Sequence, residues 1–275
     1  MGAGADDVRA ALIEAEAFEV KHRIVGGCPR CHGAGIQLLD GYDQQQMLVP
    51  SVECSCSRRF RRHLELMIAG VPEALIHDIM TEHLDERQVV EIDIGNQTKL
   101  EPTALLETHL RPYVQQHKRV LARGYSYLFV GTNSVGKTFC SLKVLHSYLG
   151  LGYSGHYIKF RALMKLINRA IVEKGQLRTD AEDLLAEIKA VDLLVVDELG
   201  KETGSREHIA GEVEELLKDR DQGRRPTIVV SNYDYQELEQ LYTSNIVGAF
   251  MRNYRVLIFD PRTDKRKAAR ETWYT

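Results

Sequence analysis

The spacing of apolar positions divides the chain into stretches with different predicted structures. Residues 5–23 form a loosely amphipathic pattern that predicts a helix, and the stretch 26–56 is polar and contains several glycines and cysteines. A second helix is expected from Arg58 to about Gly70. Residues 72–100 alternate only weakly and predict no definite element. The first part of the chain therefore has few apolar positions with which to build a core.

From residue 103 the pattern becomes regular. A predicted helix over 103–123 ends at Gly124, which suits the left-handed position that closes many helices. Apolar runs that predict strands then alternate with helical segments, which indicates an α/β fold with a parallel sheet covered by helices. The predicted strands cover residues 125–130, 155–160, 192–198, 226–234 and 254–260.

Composition limits the class of protein. The chain has 275 residues, of which 44% are hydrophobic and 27% charged, and its formal net charge is −3. These values are typical of a globular protein and argue against a uniformly basic DNA-coating protein. No apolar run reaches the roughly 18–20 residues of a membrane helix, and the first residues lack the basic start and apolar core of a secretory signal. We therefore expect a cytoplasmic protein without a membrane partner.

A phosphate-binding loop follows the first predicted strand of the regular region. The stretch GTNSVGKT fits the pattern GxxxxGK[ST], in which glycines let backbone N–H groups surround a phosphate. Its residues are Gly131, Thr132, Asn133, Ser134, Val135, Gly136, Lys137 and Thr138. We expect Lys137 to reach the β- and γ-phosphates of ATP and the Thr138 hydroxyl to bind Mg²⁺. A chance glycine-rich turn is the alternative, but the predicted strand before and helix after the loop favour nucleotide binding.

Two carboxylates end the strand LLVVDE. Successive strand residues point to opposite faces, so Asp197 and Glu198 are expected to have different tasks. We expect Asp197 to bind Mg²⁺ through water and Glu198 to act as general base on the attacking water, which predicts a Mg²⁺-dependent ATPase. Asn232, at the end of the next strand, would lie near the γ-phosphate. A solvated acidic pair and a turn-forming asparagine are the alternatives.

Four cysteines are clustered near the start of the chain. Cys28 and Cys31 form a CxxC pair, and Cys54 and Cys56 form a CxC pair. Two such pairs can converge on one tetrahedral zinc ion, with His32 as a spare ligand. Buried or redox-active cysteines and an iron–sulfur cluster are the alternatives. Cys140, in the helix after the phosphate-binding loop, is expected to be a packing residue.

Charge is distributed unevenly. Arg58, Arg59, Arg61 and Arg62 surround Phe60 directly after the second cysteine pair, a combination suited to single-stranded DNA. Residues 252–275 carry seven basic and three acidic residues, whereas residues 171–221 carry seven basic and fifteen acidic ones. This polarity is expected of a protein that meets DNA on one face. Solvated helix faces are the alternative.

The motifs together resemble the DnaC/DnaI/IstB group of AAA+ ATPases, which contains helicase loaders and ATPase helpers of transposases. The resemblance covers about residues 103–270 and rests on YLFVGTNSVGKT, LLVVDELGKE, ELLKDRDQGRRPTIVVSN and GAFMRNYRVLIFD. It implies a P-loop NTPase core with a five-stranded parallel sheet in the order 5-1-4-3-2 and no C-terminal lid domain. Loaders of the DnaI type also carry a small zinc-binding N-terminal domain, as expected for this chain.

The resemblance also implies functional arginines. Arg252 best matches the arginine finger that acts on the nucleotide of a neighbouring subunit, with Arg255 as the second candidate. Arg266 is the nearest match to a second arginine that senses the nucleotide. An arginine acting between subunits implies a homo-oligomer or a ring or spiral bound to a helicase. Surface arginines without such a role are the alternative.

We therefore predict three regions: a zinc-binding docking domain over 1–70, a linker over 71–102 and an AAA+ ATPase domain over 103–275. The expected function is an ATP-dependent helicase loader that binds a hexameric replicative helicase and helps place it on single-stranded DNA, with ATP hydrolysis controlling release. Its cofactors would be ATP, Mg²⁺ and Zn²⁺. An IstB-like transposase helper that binds duplex DNA is the alternative, and the zinc module and nearby arginines favour the loader. Glu198 argues against a scaffold that never hydrolyses ATP.

Overall fold

The fold is seen in a computed structural model that separates the chain into two units, one ending at Ile76 and one beginning at His77. The residues that the structure describes are 20–32, 34–38, 51–84, 88–92, 101–200, 206–241 and 254–259. Most of the helix predicted over 5–23 lies outside them.

The first unit is built around the cysteines. A π-helical turn over His22–Gly26 precedes strand β1 (Ile36–Leu38), which pairs antiparallel with β2 (Ser51–Glu53). Helix α1 (Ser55–Ile68) follows at once, with Cys54 as its N-cap. Helix α1 thus begins three residues before the predicted start at Arg58 and carries both members of the second cysteine pair at its N-terminus.

The core of the second unit is a mixed sheet formed by seven strands of the described residues. These are β3 (Val89–Ile92), β4 (Glu101–Ala104), β5 (Ser126–Val130), β6 (Gly155–Lys159), β7 (Leu193–Leu199), β8 (Thr227–Ser231) and β9 (Tyr254–Phe259). Their order in the sheet is β4-β3-β9-β5-β8-β7-β6. The strands from β9 to β6 are parallel to one another, whereas β3 and β4 are antiparallel.

The predicted sheet of five parallel strands is therefore too small, because the antiparallel strands β3 and β4 extend it to a mixed sheet of seven among the described residues. The five predicted strands themselves run parallel, in the order β9-β5-β8-β7-β6, which corresponds to 5-1-4-3-2. The five strands predicted from their apolar runs are present and adjacent. The two additional strands are only four residues long each, and β3 lies in the stretch whose alternation was too weak to predict a strand. Part of the segment expected to be a linker thus pairs with β9 in the sheet.

Helices flank the sheet in the second unit. They are α2 (Glu73–Thr81, which begins just before this unit), α3 (Arg111–Gln115), α4 (His117–Arg123), α5 (Lys137–Gly150), α6 (Phe160–Val172), α7 (Gln176–Ala190), α8 (Arg206–Gln222) and α9 (Tyr235–Leu241). None of the helices in the described part of the chain combines the length and apolar character needed to cross a bilayer.

The helix predicted over 103–123 is divided in the structure. Strand β4 occupies its start, a π-helix follows over Leu105–Leu110, and helices α3 and α4 complete it. Pro112, which has no N–H to donate, lies in the first turn of α3, directly after the π-helix. Gly124 closes α4 with a φ of +70°, as predicted, and a Cβ there would lie 3.0 Å from the Arg224 backbone.

The two faces of β5 pack against different layers. Leu128 and Val130 belong to a cluster with Phe160 and Leu163 of α6 and with residues of α7, α8 and β7. Tyr127 lies on the opposite face, in an aromatic group formed with α3 and α5. Every residue of β5 is buried. The strand that leads into the phosphate-binding loop is therefore packed on both of its faces.

Candidate nucleotide-binding site and cysteine cluster

The eight loop residues Gly131–Thr138 lie between β5 and α5, the strand–turn–helix context expected from the sequence. Gly131 has a φ of +133°, and a Cβ at this position would lie 2.7 Å from the carbonyl oxygen of Phe259 in β9. Gly136 has a φ of +92°, and Ser134 also has a positive φ of 71°. The loop thus takes a tightly wound path that glycine adopts without the penalty of a Cβ.

Lys137 is the first residue of α5 and is nearly fully buried. Its ammonium donates to the carbonyl oxygens of Gly131 and Thr132, at 2.7 Å and 2.6 Å. The positive charge is therefore held inside the loop, at the N-terminus of a helix whose free backbone N–H groups favour anions. This arrangement fits the phosphates of a nucleotide.

Gln88 also contacts the phosphate-binding loop, and this residue was not predicted from the sequence. The side chain is buried, and its amide donates to the Val135 carbonyl oxygen at 2.8 Å. The Cys140 thiol lies 3.8 Å from the other end of the same amide. Gln88 directly precedes β3, so no local pattern marked it. Cys140 is buried in α5 as predicted and also contacts this glutamine.

Asp197 of β7 accepts three hydrogen bonds. The Thr138 hydroxyl and the Tyr157 hydroxyl both donate to Oδ2, at 3.0 Å and 2.9 Å, and the Glu198 N–H donates to Oδ1 at 2.8 Å. Burial raises the pKa of the Asp197 carboxyl above its usual value, and the bonds from Tyr157 and Thr138 act in the opposite direction. Thr138 and Asp197 thus present adjacent oxygen atoms, the ligand type that Mg²⁺ prefers.

Glu198 differs from Asp197 in its side-chain contacts and in its backbone conformation. Its φ is +61°, an uncommon value for a residue other than glycine, and the pairing of β7 with β8 shifts register between Val196 and Leu199. The carboxylate lies 3.3 Å from the ammonium of Lys159, on β6. The two acidic residues thus have separate partners, and Lys159 is a contact that the sequence did not predict.

Of the remaining predicted site residues, the structure describes Asn232 and Arg255. Asn232 directly follows β8 and is half-buried, at the carboxyl end of a strand that lies between β5 and β7. Arg255 pairs with Tyr127 at the amino end of β5, which is the end away from the phosphate-binding loop. Arg252 and Arg266 lie outside the described residues.

The four clustered cysteines converge in the first unit. Their sulfur atoms all lie within 4.8 Å of one another, with Cys28 and Cys54 3.8 Å apart and Cys31 and Cys56 3.4 Å apart. A tetrahedral zinc site with Zn–S bonds of about 2.3 Å separates its sulfurs by about 3.8 Å, so this set fits zinc. Among the described residues, His32 is not part of the group.

The surroundings of the cysteines shift the pKa values of two of the thiols in opposite directions. Backbone N–H groups of Arg30 and Cys31 lower the pKa of Cys28 to about 6, whereas burial raises the pKa of Cys56 to about 12. Cys54 and Cys56 lie at the N-terminus of α1, where the helix dipole stabilises negative charge. The helix that begins at Ser55 thus places both cysteines of the CxC pair at its N-terminus.

The arginines after the second cysteine pair are not equivalent. Arg58 and Arg59 are exposed and form no ion pair with any described residue, whereas Arg61 pairs with Glu53 and Arg62 with Glu65. Phe60 packs against the cysteine cluster. Only two of the four arginines are therefore both exposed and without an ion pair to a described residue, and the partly buried aromatic ring packs on the apolar cluster of the unit.

Comparison with known proteins gives a family match. The family model of IstB-like ATP binding proteins matches residues 80–252. The replicative helicase loader DnaC of Escherichia coli K12 is 27% identical over 138 residues, which are 50% of this chain and 53% of DnaC. The DnaC of Shigella flexneri matches with the same values. The chain thus spans about half the length of the curated relatives it matches.

Solved structures of lower similarity were also found. A crystal structure of the DnaC helicase loader is 21% identical, with a TM-score of 0.47, and covers 55% of this chain and 86% of that protein. A putative primosome component from Streptococcus pyogenes serotype M3 is 18% identical, with a TM-score of 0.48, and covers 70% of this chain and 91% of that protein.

Proposed function

Because the chain belongs to the family of IstB-like ATP binding proteins, we propose that it is an ATP-dependent loader of a replicative DNA helicase. The family match confirms the resemblance to the DnaC/DnaI/IstB group that the motifs predicted. The observation that carries the loader function is the relative named replicative helicase loader DnaC. In this proposal the protein binds a hexameric helicase in the cytoplasm and helps place it on single-stranded DNA, and ATP hydrolysis controls release.

The geometry of the loop and of β7 supports ATP binding and hydrolysis. The loop N–H groups and Lys137 would hold the phosphates, and Thr138 and Asp197 would hold Mg²⁺. Bound there, Mg²⁺ would neutralise phosphate charge during phosphoryl transfer. Glu198 would orient and deprotonate the attacking water, with Asn232 near the γ-phosphate.

Hydrolysis would also depend on a neighbouring subunit. Arg252 would supply an arginine finger, and Arg266 would sense the nucleotide within its own subunit. Both roles rest on the resemblance of the motifs. Arg255, near the amino end of β9, is the second candidate for the arginine finger. An active oligomer, free or bound to the helicase, is therefore part of the proposal.

The cysteine cluster would bind one structural zinc ion. All four sulfurs are already close to tetrahedral spacing, and the apolar cluster of this unit consists of few residues. Zinc would supply folding free energy that such a small core lacks. We assign the docking of the helicase to residues 1–70 and ATP hydrolysis to the domain predicted over 103–275, to whose sheet residues 89–92 of the predicted linker over 71–102 also belong.

Single-stranded DNA would be contacted in part by Arg58 and Arg59. Both side chains are exposed and form no ion pair with a described residue, so they can neutralise phosphates without first breaking another contact. Arg61 already pairs with Glu53 and would contribute less. Replacing Arg58 and Arg59 by glutamine should weaken binding to single strands and make it less sensitive to salt, whereas replacing Arg61 should have the smaller effect.

The partner can be identified by trapping the ATP-bound state. The Glu198→Gln protein, held in ATP and Mg²⁺, is used as bait in native lysate, and retained proteins are identified by mass spectrometry. A replicative helicase retained with ATP, and lost in the Lys137→Ala control, would support the loader. A transposase, or strong retention on duplex DNA without a helicase, would contradict it and favour the transposition helper.

A further inference from the structure

Tyr157 has its only side-chain polar group directed at Asp197. The residue lies on β6, is 3% exposed, and donates from its hydroxyl to Asp197 Oδ2 at 2.9 Å. In the parallel pairing of β6 with β7, Tyr157 is opposite Val195 and Lys159 is opposite Asp197. The tyrosine hydroxyl therefore bonds to Asp197, two residues after Val195, its partner in the strand pairing. This bond is separate from the backbone pairing of the two strands.

The three donors to Asp197 come from different parts of the fold. Thr138 belongs to the phosphate-binding loop, and Glu198 follows Asp197 in the chain, whereas Tyr157 belongs to the outer strand β6. In the proposed function the Thr138 oxygen becomes a Mg²⁺ ligand. Tyr157 lies on β6, which is paired with β7 and is separate from the loop, so its hydrogen bond does not depend on the conformation that the loop takes around phosphates. It fixes one carboxylate oxygen independently of the loop.

We propose that Tyr157 is a positioning residue that orients the Asp197 carboxylate toward the Mg²⁺ of the bound nucleotide. The proposal rests on the proposed ATPase function and adds a residue to its site. Without the hydroxyl, the carboxylate keeps its bonds to Thr138 and Glu198 but loses, among its hydrogen bonds to described residues, the one that depends neither on the loop nor on the adjacent backbone. The consequence should appear in Mg²⁺-dependent binding and little in the binding of nucleotide without metal.

A structural role for the hydroxyl gives a different expectation. Backbone pairing from Gly155 to Lys159 already joins β6 to β7, and the buried ring stays in place when tyrosine is replaced by phenylalanine. If the hydroxyl served only to join the strands, its loss would lower stability and affect nucleotide binding equally with and without Mg²⁺.

The test measures binding of a fluorescent ATP analogue to the full chain in EDTA and in Mg²⁺. For Tyr157→Phe we expect the Kd in EDTA to stay within about twofold of wild type, while the gain in affinity on adding Mg²⁺ falls by about tenfold, as for loss of one hydrogen bond to a charged acceptor. The Mg²⁺ concentration for half-maximal ATPase activity should rise as well.

Two tyrosines provide matched controls. The Tyr153 hydroxyl makes no hydrogen bond to any described residue, and Tyr113 donates to the Tyr125 carbonyl oxygen at 2.7 Å, away from Asp197. Neither Tyr153→Phe nor Tyr113→Phe should change the Mg²⁺-dependent gain, although Tyr113→Phe should lower the unfolding temperature. If Tyr157 acts through Asp197, adding Tyr157→Phe to Asp197→Asn should have no further effect on this gain.

An unchanged Mg²⁺-dependent gain in Tyr157→Phe would overturn the inference. Equal losses of affinity in EDTA and in Mg²⁺, together with a lower unfolding temperature, would overturn it in favour of a structural role. If wild-type protein binds no nucleotide, the proposed function fails and this inference fails with it. Normal binding by the wild type combined with an unaltered gain in the variant would remove this inference alone.

Discussion

Replacing Gln88 by leucine tests whether a residue outside the recognised motifs holds the phosphate-binding loop. Leucine has a similar size and keeps the packing beside Gly136, but it cannot donate to the Val135 carbonyl oxygen. The loop would then lose a bond that fixes its middle residue. We expect weaker nucleotide binding both with and without Mg²⁺, since the lost contact touches the loop and not the acidic strand.

The size of the effect follows from burial. Val135 is fully buried and Gln88 is 3% exposed, so the carbonyl oxygen has no access to solvent in place of the amide. Leaving such a group unpaired costs about 1–3 kcal/mol. Part of this free energy would lower the stability of the folded unit, and the rest would disfavour the loop conformation that binds nucleotide. At about 1.4 kcal/mol for each factor of ten, the Kd for nucleotide should rise about tenfold, and about a hundredfold at most.

The assay combines nucleotide titration in EDTA and in Mg²⁺ with thermal unfolding. Gln222→Leu is a suitable control because this glutamine is exposed at the end of α8. Unchanged affinity and unchanged stability in Gln88→Leu would refute the reasoning. A loss of affinity that is seen only in Mg²⁺ would also refute it, since such a loss would indicate an effect on the acidic residues of β7.

Four further outcomes are expected. Lys137→Ala should abolish detectable nucleotide binding in a titration, because the buried ammonium supplies the charge inside the loop; retained tight binding would exclude this role. Glu198→Gln should bind ATP normally but lower the steady-state rate by at least about 100-fold, and near-normal turnover would exclude Glu198 as the base. Metal analysis should find about one zinc per chain, lost when Cys28 and Cys31 are both replaced by serine; a folded, metal-free wild type would contradict the zinc site. Burial lowers the pKa of His109 from 6.5 to about 4, so the unfolded chain alone binds that proton between these values. The free energy of unfolding should then fall by up to about 3 kcal/mol on acidification from pH 6.5 to 4. In denaturant titrations His109→Gln should show a smaller fall, and an identical pH dependence would contradict the assignment.

The parts of the fold that could be predicted are those encoded locally. Around Gly131 and Lys137, a strand, a turn and a helix follow one another within a few residues. The apolar pattern and the glycine-lysine motif therefore predict the same local structure. The apolar run before Asp197 likewise marks a strand buried on both faces. The convergence of the two cysteine pairs could also be predicted, because the ligands of a candidate metal site need short spacing within each pair and no particular distance between pairs.

The parts that could not be predicted depend on contacts between distant segments. Gln88, Tyr157 and Lys159 act on residues 47, 40 and 39 positions away, and a single sequence holds no signal for such pairs. Strand β3 is too short for its alternation to be distinguished from chance. Phe60 appeared suitable for stacking on bases because its arginine neighbours suggested a nucleic-acid surface, whereas the small apolar cluster at the cysteines accounts for its position.

The pairing of β3 with β9 has a consequence for any shortened form of this protein. Strand β9 is the apolar sequence YRVLIF, and β3 covers one of its two edges. A protein that began at residue 103, the predicted start of the ATPase domain, would leave that edge with a row of free N–H and C=O groups beside apolar side chains. Such an edge recruits strands from other molecules. Insolubility of that fragment would therefore reflect a missing neighbour in the sheet, while a fragment that starts at His77 keeps the edge covered.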